Sequence, residues 1–211
     1  MLIRDIFNQK KPVISFEIFP PKKDSNIDVI YSTLEALKDL RPDFISVTYG
    51  AGGSTRDKTV EIASIVKNKY NIEALAHLTC IGLNNEGLNR ILGELAENNV
   101  KNIMALRGDL PEGMDKKVLE ESSFSHASDI ITSIKKLGDF CTGGACYPEV
   151  HPECDSLDKD IENLKFKVDC GADFLVTQLF FDNEKFYTFM DKARKAGINI
   201  PISAGIMPVT N

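Results

Sequence analysis

Paired cysteines of the kind that staple a small fold are missing from this 211-residue chain, which has five cysteines, an odd number, and no Cys-x-x-Cys. That usage fits free thiols in a reducing compartment. No apolar run approaches the length that spans a bilayer, and Met1 to Pro12 has no apolar core of signal-peptide length. Positive charge is in deficit: Lys and Arg number 25 against 31 Asp and Glu, a net charge of −6. This argues against nucleic acid or an anionic membrane as the main partner. The Gly-x-Gly-x-x-Gly dinucleotide fingerprint does not follow the first strand, and the glycine-rich stretch from Gly50 to Gly53 lacks the Gly-Lys-Ser/Thr ending of a P-loop. A cytoplasmic protein with neither a membrane nor a nucleic-acid partner is expected.

What the chain does have is an ordinary globular composition, 43% hydrophobic and 27% charged, in a length that fits one domain with a sizeable core. The most informative stretch is Asn102 to Pro111. Ile103 to Leu106 is an apolar run that reads as a strand buried on both faces. It stops at Arg107-Gly108-Asp109, and Pro111 bars further strand. A cation, a flexible backbone position and a carboxylate therefore sit together at a strand's carboxyl end, the edge where parallel α/β folds bind ligands.

The same pattern recurs along the chain. Strands are expected over Val13–Phe19, Phe44–Thr48, Ala74–Cys80, Ile103–Leu106, Cys141–Cys146, Phe174–Phe181 and Pro201–Met207. Helices with one apolar stripe lie between them: Ile30, Leu34 and Leu37; Ile62, Ile65 and Val66; Leu88, Ile91, Leu92 and Leu95; Ile130, Ile131, Ile134 and Leu137; Leu157, Ile161, Leu164 and Val168; Phe186, Phe189, Met190 and Ala193. Ser25 and Ser54 are candidate helix caps, and the polar loop from Pro111 to Phe124 is expected to be mobile. The strand-end residues Glu17, Thr48, Thr79, Asp109, Tyr147, Gln178 and Met207 recur about every 30 residues, with one longer step before Tyr147, which is a βα repeat with parallel strands. The expected fold is an α/β (β/α)₈ TIM barrel whose eighth strand is absent from this chain. A doubly wound open sheet is the structural alternative.

Several polar residues stand out against this frame. Glu17 lies inside an apolar strand. It reads either as a solvated or ion-paired position or as a buried acid with a raised pKa suited to donating a proton. His77 interrupts another apolar run, where a satisfied core histidine is the commoner outcome than a ligand. Gln178 reads as a buried amide in need of partners. Tyr147 and His151 belong to a loop stiffened by two prolines. Cys146, His151 and Cys154 fit no common zinc spacing, so no metal is expected. Asp160, Asn163 and Lys167 share one helical stripe, either a solvated face or a flank that clamps a polar cofactor.

Six segments then occur in order: Ser15 to Lys22 (SFEIFPPK), Ser46 to Ala51 (SVTYGA), His77 to Cys80 (HLTC), Ala105 to Pro111 (ALRGDLP), Tyr147 to Glu153 (YPEVHPE) and Thr177 to Asp182 (TQLFFD). Together they resemble the methylenetetrahydrofolate reductase family over nearly the whole chain. The resemblance implies a (β/α)₈ barrel with FAD at the strands' carboxyl ends. It implies ping-pong reduction of 5,10-methylenetetrahydrofolate to 5-methyltetrahydrofolate, with NADH, NADPH or an electron-transfer partner protein as donor and a homo-oligomeric state. It implies that Glu17 is the general acid and that Asp109 is the carboxylate near flavin and pterin. Gln178 is shared by folate and nicotinamide, and Thr48 lies near the nicotinamide. Tyr49, Ala51, His77, Arg107, Gly108, Asp109, Ala127, Tyr147, His151, Asp160, Asn163 and Lys167 fall on FAD-contacting positions. Arg107 and Lys167 also suit flavin phosphates by chemistry alone.

Two departures fall at the adenine and phosphate end: His126 where several relatives carry tyrosine, and Phe166 where a basic residue often precedes Lys167. Residues 1–211 are expected to form one FAD-binding barrel domain that is truncated at its carboxyl end, because relatives continue past Asn211. An inactive fragment, or a flavin-binding subunit completed by a partner, is the second reading. A lyase that forms a Schiff base is the third, and it would need a lysine within a strand, where none is assigned.

Overall fold

The computed structural model describes residues 1–21, 27–49, 56–109 and 122–207. The expectations for Ser25, Ala51, Ser54, the Gly50–Gly53 stretch and most of the loop after Pro111 fall outside them. The elements are α1 (Ile3–Gln9), β1 (Ser15–Ile18), α2 (Asp28–Lys38), β2 (Phe44–Val47), α3 (Arg56–Ser64, running on as a π-helical turn over Ile65–Lys69) and β3 (Glu73–Thr79). They continue with α4 (Asn85–Glu97), β4 (Asn102–Leu106), α5 (Ala127–Leu137), β5 (Cys141–Cys146), α6 (Leu157–Asp169), β6 (Phe174–Thr177), α7 (Asn183–Lys195) and β7 (Ile202–Ser203).

All seven strands join one sheet in the order β1-β2-β3-β4-β5-β6-β7, and every neighbouring pair is parallel. A doubly wound sheet reverses its strand order partway, so the sequential order excludes that alternative. The sheet is also curled. Phe44 on β2 and Phe174 on β6 have ring centroids 6.5 Å apart, whereas four strand spacings in a flat sheet would separate them by about 19 Å. Among the described residues, this is the architecture of a TIM barrel without an eighth strand.

Side-chain alternation separates helix-facing from barrel-facing core residues, and a further helix-facing cluster, with Leu164, Leu175 and Phe189, lies between β5, β6, α6 and α7. The helix-facing residues of β1 to β4 pack with α2 to α5 into the largest cluster, which includes Leu34, Ile45, Ile62, Leu88, Ile103 and Ile131. The residues pointing into the barrel, Phe44, Leu75, Met104, Cys141 and Phe174, pack instead on Ile3, Ile6 and Phe7 of α1. Helix α1 therefore plugs the amino end of the barrel. It was not legible beforehand: it has seven residues and no side-chain cap at its start, and what holds it is tertiary contact rather than propensity.

Three sequence expectations need correction. Leu137 is 51% exposed, because it is the last residue of α5, which ends at its C-cap Gly138. Strand pairing covers only Ser15–Ile18 of the expected first strand, the opening half, Phe174–Thr177, of the sixth and Ile202–Ser203 of the seventh. Gln178 is consequently not a buried amide: it is exposed, lying one residue beyond β6, where its N–H donates to Cys146 O at 2.7 Å.

Candidate active site

The carboxyl ends of β4, β5 and β6, together with α5 and α6, enclose a cavity of about 630 Å³, within the usual range for small-molecule sites. Ten of the expected residues line it: Arg107, Gly108, Asp109, Ala127, Tyr147, His151, Asp160, Asn163, Lys167 and Gln178. His126 and Phe166, the two departures, line it as well.

Each wall has a local cause. Gly108 follows β4 with φ +83°, and a side chain there would meet Thr79 Cβ at 2.9 Å, so only glycine turns the chain at this point without strain. On β5, a Cβ at Gly144 would lie 3.0 Å from Lys167 Cδ. Its absence lets the lysine stem cross the strand and donate to Ala145 O at 2.7 Å. Burial lowers the pKa of Lys167, against the opposing influence of Cys146 and Asp160. The carbonyl occupies one of three ammonium N–H donors. Lys167 reaches the strand ends from a helix, not from within a strand. The α6 stripe thus forms a wall of the cavity, with Asn163 at its exposed part.

The loop after β5 is tied to that wall. His151 N–H donates to Asp160 Oδ2 at 2.9 Å, and the His151 ring meets Tyr147 edge-on at 4.6 Å. Val150 between them has φ +74°, a strained value for a β-branched residue. Burial raises the Tyr147 pKa. Cys154 interacts with Asp160 and Asn163, and all five cysteines are free. Arg107 forms an ion pair with Glu153, with Nη1 2.7 Å from each carboxylate oxygen. Among the described residues, no group of three or more His, Cys, Asp or Glu is arranged to hold a metal, and no helix is long and apolar enough to cross a membrane.

Glu17, Thr48, Tyr49 and His77 are not among the residues lining that cavity. Thr48 N–H donates to Ile18 O at 3.0 Å, and Tyr49 packs against the helix-facing core. Glu17 and His77 form a second group at the ends of β1 to β3. Ser46 Oγ donates to Glu17 Oε2 at 3.1 Å, and His77 Nε2 is 3.4 Å from the same oxygen. The Glu17 side chain is 47% exposed and its neighbour Phe19 69% exposed, so the acid is not enclosed as the apolar strand suggested. Its pKa is nevertheless raised by desolvation, against the lowering effect of the Ser46 hydrogen bond. Burial pushes His77 down to about 4, so at neutral pH the imidazole is uncharged and this contact is not an ion pair. Ser46 itself was missed as a site residue. A serine inside an apolar strand at the position paired with an acid was the available signal.

Comparison with known proteins follows from this geometry. A family model described as methylenetetrahydrofolate reductase matches residues 2–211. The chain is 40% identical to methylenetetrahydrofolate reductase (NADH) 1 of Arabidopsis thaliana over 99% of its length, covering 37% of that protein. It is 42% identical to 5,10-methylenetetrahydrofolate reductase of Escherichia coli K12 over 94% of its length, covering 65% of that protein. The chain thus spans less than two thirds of either relative. Among solved structures, a Clostridium thermocellum protein described as binding two copies of 5-methyl-5,6,7,8-tetrahydrofolic acid superposes with TM-score 0.64 at 16% identity, over 97% of this chain and 69% of that one. An oxaloacetate acetylhydrolase superposes with TM-score 0.61 at 11% identity, over 96% of this chain and 79% of that one. At these identities the two structures speak to the fold alone.

Proposed function

The chain belongs to the methylenetetrahydrofolate reductase family, and from that premise we propose that it acts in the reduction of 5,10-methylenetetrahydrofolate to 5-methyltetrahydrofolate, as an FAD-binding barrel domain with NADH or NADPH as electron donor. The observation that carries this reading is the convergence of Arg107, Asp109, Tyr147 and Gln178, from three separated sequence motifs, on one cavity that also holds the half-buried Lys167.

The donor set fits FAD. Arg107 and Lys167 are the cations a pyrophosphate calls for, and the amino end of α5, where Ala127 and Ser128 line the cavity, favours an anion. Asp160, Asn163 and Tyr147 are short or planar polar groups suited to a ribityl chain and ring edges. When bound, the flavin supplies hydride transfer, and the protein supplies binding, orientation and protons. The name of the Arabidopsis relative specifies NADH, which supports a nicotinamide donor.

The chain's own chemistry centres on a proton. The one-carbon unit of the substrate is held in a ring between two nitrogens, and hydride has no electrophile until that ring opens to an iminium. Opening requires a proton on the leaving nitrogen. Glu17, with its pKa raised by desolvation, is the residue for that task, and His77, uncharged at neutral pH, does not compete as a cationic acid. To the Asp109 carboxylate we assign the stabilisation of the cation that ring opening creates. The test is reconstitution with FAD, followed by anaerobic reduction with NADH or NADPH and reoxidation with methylenetetrahydrofolate. Flavin uptake with both half-reactions is the expected result. Failure to take up flavin would remove the reading.

A further inference from the structure

The parallel register sets Glu17 of β1 directly against Ser46 of β2. Ser46 is 6% exposed, yet it is a polar residue in a strand otherwise made of Phe44, Ile45 and Val47, all buried. Its hydroxyl donates to Glu17 Oε2 at 3.1 Å. From β3, His77 Nε2 approaches the same oxygen, at 3.4 Å. Both neighbours therefore approach Oε2.

We propose that Ser46 is a positioning residue for proton transfer, which fixes Oε2 of Glu17 as the hydrogen-bond acceptor and leaves Oε1 as the oxygen that carries the transferable proton. A protonated carboxyl with one oxygen already accepting a hydrogen bond keeps its own proton on the other. When the O–H bond at Oε1 breaks and an N–H bond forms on the leaving nitrogen, the charge left on the carboxylate spreads to Oε2, where the Ser46 hydroxyl meets it. Hydrogen bonds to charged acceptors are the stronger kind, so the Ser46 contact tightens as the proton departs. Ser46 thereby makes a desolvated acid a better donor without itself touching the substrate. Among the described residues, His77 is the titratable group that faces Glu17, and it stays uncharged until the pH falls to about 4. The inference rests on the proposed function only in taking Glu17 as the proton donor.

The test reads Glu17 directly. Side-chain carboxyl carbons of ¹³C-labelled glutamate are followed by NMR as a function of pH, and the Glu17 resonance is identified by its loss in Glu17→Gln. In Ser46→Ala the Glu17 midpoint should rise by about 0.5 to 1 pH unit, the difference between a hydrogen bond to the charged and to the neutral carboxyl. Ser46→Thr, which keeps the hydroxyl, should restore the original midpoint. Ser46→Cys, a weaker donor of similar shape, should fall between and serves if the alanine variant does not fold. An unchanged midpoint in Ser46→Ala or in Ser46→Cys, or the same rise in Ser46→Thr as in Ser46→Ala, would overturn the proposal. The titration needs no turnover, so it separates two failures: a Ser46-dependent midpoint in a protein that does not reduce folate sinks only the proposed function. Folate reduction with a midpoint indifferent to Ser46 sinks only the positioning role.

Discussion

Asp173→Ala should be among the most damaging single changes outside the cavity. Asp173, just ahead of β6, is 15% exposed in its side chain and accepts hydrogen bonds from three elements. Lys135 Nζ of α5 is at 2.6 Å, Thr142 N–H of β5 at 2.7 Å and Arg4 Nη1 of α1 at 3.2 Å. Burial alone would raise its pKa, but the hydrogen bonds from Lys135, Thr142 and Arg4 outweigh that and hold it below the usual carboxylate range. Truncation leaves a strand N–H without its acceptor and a half-buried ammonium with only the Phe140 carbonyl, 3.0 Å away. Breaking a fully buried pair costs about 3–5 kcal/mol; with Arg4 35% and Lys135 26% exposed, a loss of roughly 2–3 kcal/mol is more apt. For a chain of this size that is a fall in midpoint of about 4–12 °C. Asp139→Ala, which removes the partner of Arg4 that is 72% exposed, is the control and should cost less than about 0.5 kcal/mol. The sign with pH follows from the depressed pKa. The contribution of Asp173 is present above the carboxylate pKa of the unfolded chain and disappears as pH falls through the lower folded value. Thermal and urea unfolding of both variants at pH 7 and pH 4 gives the comparison. Equal losses for Asp173→Ala and Asp139→Ala at pH 7 would refute the reasoning, because the node would then be as solvent-screened as a surface pair.

Further outcomes follow from the cavity. Asp109→Asn removes a negative charge beside the proposed flavin site, so it should raise the flavin potential and slow folate reduction; an unchanged potential with unchanged turnover places Asp109 outside the site. Glu153→Gln releases Arg107 from its ion pair, and it should tighten FAD by no more than about fivefold, mostly at low salt. Weaker binding would mean instead that Glu153 holds Arg107 in its working position. Gly144→Ala pushes on the Lys167 stem at 3.0 Å and should weaken FAD about tenfold by moving the ammonium, as read by flavin fluorescence. Unaltered affinity would free Lys167 from any role in phosphate binding.

The parallel sheet and most of its helices were legible because hydrophobic periodicity reports burial, and burial drives both. The motif residues Arg107, Asp109 and Tyr147 were legible one by one as polar interruptions at strand ends, and Lys167 as part of a polar stripe on its helix. Their partners were not. The Arg107–Glu153 pair joins residues 46 positions apart, and Ser46 meets Glu17 only through a strand register that no single-strand pattern encodes. The plug formed by α1 was hidden for the opposite reason: its stability comes from the barrel residues of β2 to β6, not from a signal in its own seven residues. Gln178 was misjudged because an apolar run continued past the point where pairing stops.

Glu17→Gln, studied by rapid mixing of each half-reaction in the FAD-reconstituted protein, tests the central claim most directly. Flavin reduction by the nicotinamide donor needs no proton from the protein, whereas opening of the folate ring does. The account predicts that flavin binding and its reduction persist while folate reduction falls by at least about 10²-fold, the usual contribution of a general acid. In the unsubstituted protein, the folate half-reaction should hold below the raised pKa of Glu17 and decline as pH rises through it. A folate half-reaction that survives in Glu17→Gln, or two half-reactions that fall together, would contradict it.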